Sequence, residues 1–428
     1  MRIYFDTVGC RLNQSEIELL ARQFRAAGHS IAETAAEADV VVINTCTVTS
    51  AAASDSRQKI RQAARAGNAA IAVTGCWATL EPEAARQMPH VSWVVPNQEK
   101  HHLTATVLGV PLETFDLEPL ARQPLPGIHQ RTRAFIKVQD GCDNFCTFCI
   151  TRLARGKGRS ESIGEVVADV KAAVAGGARE VVLSGVHLGS WGQDFSPQLH
   201  LRHLIEAILS DTDVERVRLS SLEPWDLDEE FFRLWENPRM CRHLHLPLQS
   251  GSAATLKRMV RKTTPPAYRR LLESARAHCS EIAITTDVIV GFPGESDAEF
   301  EESLAFVREM NFAGGHVFSY SVREGTAAAR MKGMVHGAVI RERNARMREV
   351  LWQSSLTYRQ RFIGSVAGVL WESCDEVGVN GWRLHGLTDH YLRVEAFSPN
   401  PLWNQISRVR LEKITDEGLR GVILKDGK

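Results

Sequence analysis

Strand-like apolar runs alternate with amphipathic helix-like stretches along most of this chain, and no other feature restricts its fold as strongly. Near the N-terminus, RIYFDTVGC, DVVVINTCTVT, AAIAVTGC and VSWVVPN read as strands, with NQSEIELLARQFRAAGH, SDSRQKIRQAARAG and EPEAARQM as the helices between them. Strands separated by helices are joined by crossovers, which makes the sheet parallel and open. After a Pro-containing linker at 115–130 the series resumes, with strands expected at 134–139, 180–186, 216–224, 243–249, 283–293 and 315–321. Six such units are too few to close an eight-stranded barrel. They predict a partial one, with its site at the C-terminal strand ends. A basic helix at 340–362 follows, and then short strand-like pieces (SVAGVLWES, RLHGLT, YLRVEAF, ISRVRLEKIT) that suggest a small β-barrel. The expected fold class is α/β: an N-terminal open parallel sheet in 1–118, a central partial (β/α)6 barrel in 128–360, and a small C-terminal β-barrel in 361–428.

The 428 residues exceed one ordinary domain, and 44% hydrophobic with 24% charged content is the composition of a soluble globular protein. No apolar run reaches the ~18–20 residues that span a bilayer. MRIYFDTVGC enters a strand pattern at once, without signal-peptide anatomy, so a cytoplasmic protein with no membrane attachment is expected. Lys plus Arg (51) equals Asp plus Glu (51), which gives no global signature for nucleic acid. From Arg122 to Arg159, however, eight Lys or Arg face two Asp, either a solvated face or a phosphate-binding one. Nine cysteines in a cytoplasmic chain are not expected to form disulfides. Cys241, Cys279 and Cys374 stand alone as packing or surface thiols, whereas the other six are organised.

GCDNFCTFC places Cys142, Cys146 and Cys149 just after a strand, at the first position of the partial barrel. A structural zinc site or a closed iron–sulfur cluster takes four ligands. Three thiolates would hold three irons of a cubane and leave the fourth open to the amine and carboxylate of S-adenosylmethionine, whose one-electron cleavage yields a 5′-deoxyadenosyl radical. The alternative is a zinc site completed by His129 or His187. Phe145 and Phe148 would shield a cluster from water. Cys10, Cys46 and Cys76 each fall at or just past a strand end, 36 and 30 residues apart, and parallel strands would bring them to one edge as a second trio. Simple core packing is the competing reading. Downstream strand ends supply candidate S-adenosylmethionine contacts: Ser184 and Gly185 in LSGVHLGS, Ser221 and Glu223 in SSLEP, Gln249 in PLQSGS, and Ile289 and Gly291 in DVIVGFPGE.

These motifs, with TVGCRLNQSEIE, GCDNFCTFCITRLARGKGRS, HLHLPLQSGS and GLTDHYLRV in that order, identify the chain as similar to the radical S-adenosylmethionine methylthiotransferase family over essentially its whole length. RTRAFIKVQDGC, NTCTVT with SRQKIRQ, and GLTDHYLRV resemble the MtaB-type branch. That branch adds a methylthio group to C2 of N6-threonylcarbamoyladenosine at tRNA position 37. The resemblance implies two [4Fe–4S] clusters, a radical cluster on Cys142, Cys146 and Cys149 and an auxiliary one on Cys10, Cys46 and Cys76. It also implies S-adenosylmethionine as methyl donor and radical source, a C-terminal TRAM-like RNA-binding barrel, a tRNA anticodon stem-loop as partner, a flavodoxin- or ferredoxin-like electron donor, and a monomer. Two rivals stand beside it: a ribosomal-protein aspartate methylthiotransferase, and a non-catalytic iron–sulfur or zinc RNA-binding protein. The sequence departs from the family in ITRLARGKG and in Asp287, where the wider superfamily often has Gly. Segment 152–159 and the helix from Arg341 to Arg361 are the candidate phosphate contacts.

Overall fold

The computed structural model describes residues 1–111, 132–376 and 381–424; the linker expected at 115–130, and His129 with it, lie outside the described residues. The first sheet contains β1 (Arg2–Thr7), β2 (Ser30–Ile31), β3 (Val40–Thr45), β4 (Ala70–Gly75) and β5 (Val91–Val95) in the order β2-β1-β3-β4-β5, all parallel. Apolar side chains on both faces put VVVINT in the middle, where β3 is buried along its whole length. Helices α1 (Arg11–Ala26) and α2 (Ser50–Ala66) cover the sheet; Thr49 caps α2 by accepting from the Ala52 N–H. The strand β2, only two residues long, lacks the length to register as a sequence pattern.

Six parallel strands form the second unit: β6 (Arg133–Lys137), then β9 (Glu180–Ser184), β10 (Arg216–Leu219), β11 (His243–His245), β12 (Ala283–Val290) and β13 (Gly314–Ser319). They lie in chain order, with isolated parallel bridges Val217–Met240 and Ser221–His245 joining β10 to β11. A two-stranded antiparallel ribbon, β7 (Gln139–Asp140) with β8 (Arg159–Ser160), closes the base of the cysteine loop. The expected strands 216–224 and 243–249 end earlier than the sequence suggests, because their last residues turn into loops at the site.

The two faces of this partial barrel differ. Val181, Leu183, Val217, Leu219, Leu244, Leu246, Ile284, Val288 and Val290 point outward into the core beneath the helices. The alternate residues, Glu180, Arg218, His243, His245, Thr285, Asp287 and His316, form a polar concave face. The C-terminal unit is a closed five-stranded barrel of β14 (Val366–Glu376), β15 (Trp382–Thr388), β16 (Arg393–Ser398), β17 (Ile406–Ile414) and β18 (Leu419–Ile423), one strand more than the sequence patterns suggest. Its β15–β16 turn seats in the concave face. Arg218, fully buried, holds Glu180 (2.6 Å) and the carbonyls of Thr388 and Asp389 (3.1 and 3.0 Å), while His243 stacks on Tyr391 at 4.3 Å.

Candidate active site

Cys10, Cys46 and Cys76 follow β1, β3 and β4, three neighbouring strands. Neighbouring strands lie ~4.8 Å apart, so the three thiols leave the sheet across roughly 10 Å. Two glycines draw them closer. At Gly9 (φ +99°) an added Cβ would fall 2.5 Å from the Cys46 sulfur, and at Gly75 (φ +99°) it would fall 2.2 Å from the Thr45 carbonyl oxygen. Only glycine permits these backbone approaches. Cys10 caps α1 and its thiol donates to Asn13 Oδ1 (3.6 Å); Cys76 opens α3 (Cys76–Leu80), and Asn97 Nδ2 donates to its sulfur (3.6 Å). Burial raises the Cys10 thiol pKa and pushes that of Cys46 up to about 11, opposed in each case by the Arg155 charge. Such thiols are poor free nucleophiles, whereas a metal that displaces the proton binds them as thiolates.

The second trio lies on the loop closed by the β7–β8 ribbon. The Cys142 N–H bonds the Gly156 carbonyl (3.1 Å), and the Cys149 N–H bonds the Cys146 carbonyl (3.0 Å). Arg261 Nη1 sits 3.7 Å from the Cys146 sulfur and the same guanidinium pairs with both oxygens of Glu223 (3.0 and 2.6 Å). Burial pulls the His187 imidazole down, but hydrogen bonds to Asp226 (2.6 Å) and the Cys142 sulfur outweigh it and raise its pKa to about 10. With Nδ1 of His187 also 3.3 Å from Asn144, both ring nitrogens are engaged, unlike those of a zinc ligand. Phe148 packs edge-on against Phe292 in a cluster that also takes in Ile289 and Tyr320. Phe145 does not shield anything. It is 68% exposed, with Arg152 stacked 3.9 Å over its ring, because the turn between Cys142 and Cys149 points it outward.

A cavity of about 930 Å³ joins the first trio to the strand ends of the partial barrel; Cys142, Cys146 and Cys149 are not among its lining residues. The strand-end thiols Cys10, Cys46 and Cys76 line one wall. Ser184, Gly185, Ser221, His245, Asp287 and Thr151, two residues past Cys149, line the floor; residues 390–393 of the C-terminal barrel line a third side. Of the other sequence candidates, Gln249 stands in the left-handed region (φ +72°) beside Val288, and Ile289 belongs to the Phe148 cluster. Gly291 donates its N–H to Glu295 (2.7 Å) and is covered by Ile340. Glu223 is held by Arg261. Sequence reading missed the pair His245–Asp287 (3.2 Å), whose Asp287 Oδ1 has no partner among the described residues. It missed Arg155 as well. That buried side chain does not face phosphate: it binds Asn13 (2.6 Å), Glu16 (2.9 Å) and Asp140 (2.9 Å) and ties the first sheet to the barrel. Arg343 and Arg346 of the basic helix are likewise paired, with Glu295 and Glu301. Among the described residues no three His, Cys, Asp or Glu side chains close on one point as a single metal ion requires. The strand-end thiols border a volume, a geometry that suits a cluster whose thiolates each bind a different iron.

Residues 2–96 match the family described as uncharacterized protein family UPF0004, and residues 136–307 match the radical SAM superfamily. The threonylcarbamoyladenosine tRNA methylthiotransferase MtaB of Bacillus subtilis is 35% identical over 96% of this chain and 94% of that protein. The chain belongs to the radical S-adenosylmethionine methylthiotransferases, of the MtaB type. The MtaB of Thermotoga maritima is 36% identical over 97% of this chain and 96% of its own. A tRNA-2-methylthio-N(6)-dimethylallyladenosine synthase of Maricaulis maris is 32% identical over 98% and 96%. Among solved structures, the radical S-adenosylmethionine methyltransferase TsrM of Kitasatospora setae shares the fold, with a TM-score of 0.57 at 15% identity over 77% of each chain. The glycine that precedes Cys10, Cys76 and Cys142 (VGC, TGC, DGC) is the signal in the methylthiotransferase sequence that could have foretold the tight backbone packing.

Proposed function

We propose that the chain inserts a methylthio group at C2 of N6-threonylcarbamoyladenosine at tRNA position 37. The convergence of three strand-end thiols and the barrel's strand ends on one cavity carries this reading; the names of the two MtaB relatives supply the substrate. In it, Cys142, Cys146 and Cys149 hold one [4Fe–4S] cluster, and Cys10, Cys46 and Cys76 hold another. When bound, these groups and S-adenosylmethionine supply the radical source and the methylthio unit. The protein's residues do the positioning. The N-terminus of α1 places its partial positive charge at Cys10, where it favours thiolate. Arg261 does the same for Cys146 while holding Glu223 through the same guanidinium. Ser184, Gly185, Ser221, Glu223, Gln249, Ile289 and Gly291 are the proposed S-adenosylmethionine seat. Residues 1–118, 128–360 and 361–428 serve as cluster, radical and RNA-binding units. The partners in this reading are the anticodon stem-loop and a flavodoxin- or ferredoxin-like donor, with the chain a cytoplasmic monomer.

Mass spectrometry of tRNA nucleosides tests it: the 2-methylthio form of N6-threonylcarbamoyladenosine should vanish in a deletion strain and return with the gene. An unchanged nucleoside profile overturns the reading. Iron and sulfide analysis after anaerobic reconstitution should give two clusters in the wild type and about half that content in C142A or C46A; zinc alone would favour a non-catalytic RNA binder.

A further inference from the structure

Two guanidinium groups on the C-terminal side of the cavity are in no ion pair among the described residues. Arg359, in the last turn of the helix Gly337–Gln360, and Arg393, the first residue of β16, both line it. Arg359 donates one long bond (3.3 Å) to the Thr415 carbonyl, and Gly418 packs on the Arg393 backbone, so the 415–418 turn lies beside both residues. Among the described residues neither side chain is in an ion pair. Arg343 and Arg346 on the same helix, by contrast, hold Glu295 and Glu301, and Arg420 on β18 holds Glu395 of β16. Several other cavity charges have partners. Arg11 binds the Tyr391 hydroxyl (2.8 Å), Arg155 binds Glu16 and Asp140, and Asp287 faces His245. Glu417, exposed on the 415–418 turn, lines the cavity without an ion pair among the described residues. Burial and the neighbouring Arg393 charge lower the Arg359 pKa. Two like charges set side by side are relieved by an anion placed between them.

We propose that Arg359 and Arg393 form an oxyanion seat that binds the carboxylate of the amino-acid substituent on the substrate base and so selects N6-threonylcarbamoyladenosine over adenosines with an apolar N6 group. This rests on the function proposed above. A cavity of about 930 Å³ has room for a substituted nucleoside. The planar guanidinium matches a carboxylate through paired N–H bonds. Arg393 belongs to GLTDHYLRV, and His390, Tyr391 and Leu392 of the same stretch also line the cavity. A dimethylallyl substituent carries no charge and would leave both guanidinium groups unpaired. A backbone phosphate offers the same chemistry as the carboxylate, and the test separates the two.

Equilibrium binding of the full-length protein is measured by fluorescence anisotropy with three anticodon stem-loops, identical except at position 37: N6-threonylcarbamoyladenosine, adenosine and N6-dimethylallyladenosine. The wild type should prefer the first by roughly 10- to 100-fold, the scale of charge-assisted bonds that the other bases cannot make. R359Q, R393Q and the double variant should lose that preference while binding the adenosine loop within about twofold of wild type. R359K and R393K, which keep charge and fold, should retain part of it. Three outcomes overturn the inference: a preference that survives in the double variant, equal weakening on all three loops with a flatter salt dependence (the signature of phosphate contact), or no preference in the wild type. If the deletion strain still loses the methylthiolated nucleoside, any of these leaves the proposed function standing.

Discussion

Replacing Arg155 with alanine tests how the first sheet is held on the partial barrel. The buried guanidinium donates to Asn13 and Glu16 on α1 and to Asp140 on β7. In R155A, Glu16 keeps Lys100 at 2.6 Å, while Asp140 keeps the Gly141 N–H at 2.8 Å and, as its ion pair, Lys137 at 3.8 Å. Removing one partner of a buried ion pair costs ~3–5 kcal/mol, and the retained Lys100 places the expectation near the lower figure, about 3 kcal/mol. Burial alone would raise the Glu16 carboxyl, but Arg155 and Lys100 hold it well below the usual carboxylate range. A depressed carboxyl stabilises the fold above its unfolded pKa of ~4.3, and that stabilisation is lost as pH falls toward the folded value. In R155A the depression is smaller, so acid costs the variant less than it costs the wild type. The gap between them should therefore narrow from pH 7 to about pH 3.5. Native-state hydrogen exchange of α1 and β6 amides at the two pH values reads this directly. R155M combined with E16Q, which removes charge from both sides, should recover part of the loss. Unchanged protection in R155A, or a loss of equal size at both pH values, would refute the reasoning.

G75A should cost roughly 1–3 kcal/mol and displace Cys76, because the new Cβ meets the Thr45 carbonyl at 2.2 Å and φ is +99°. Iron analysis after reconstitution should then show loss of one cluster's content while cleavage of S-adenosylmethionine persists. R218A should cost ~3–5 kcal/mol by leaving Glu180 buried without its partner. It should also free the β15–β16 turn, seen as faster proteolysis between Thr388 and Leu392, whereas R218M with E180Q should restore resistance.

Much of this fold was legible because its strands and helices differ in period. VVVINT, EVVLS and AITTDVIV stand out as strands even though their ends do not. The strand bounds failed where residues such as Ser220, Leu246 and Gln249 leave the ladder to build loops at the site, since a local pattern does not record where pairing stops. The cysteine trios were readable from spacing and from strand ends. What was not readable was which side chains share the cavity. The alternation in RVRL and HLHL marks strands with one polar face, which is unusual for a buried parallel sheet and is explained by the turn that plugs it. Arg155 and Arg343 read as surface cations because their partners, Glu16 and Glu295, lie 139 and 48 residues away in sequence. Phe145 read as a shield because hydrophobicity does not reveal which way a turn points.

Three separate stretches of chain each build one side of the chamber: thiols from the first sheet, strand ends from the partial barrel, and the 390–393 segment from the last barrel. What is admitted can therefore drift independently of what reacts. A lineage could trade one guest for another by rewriting a few positions in its final sixty or so residues, while the machinery on the opposite walls stays untouched.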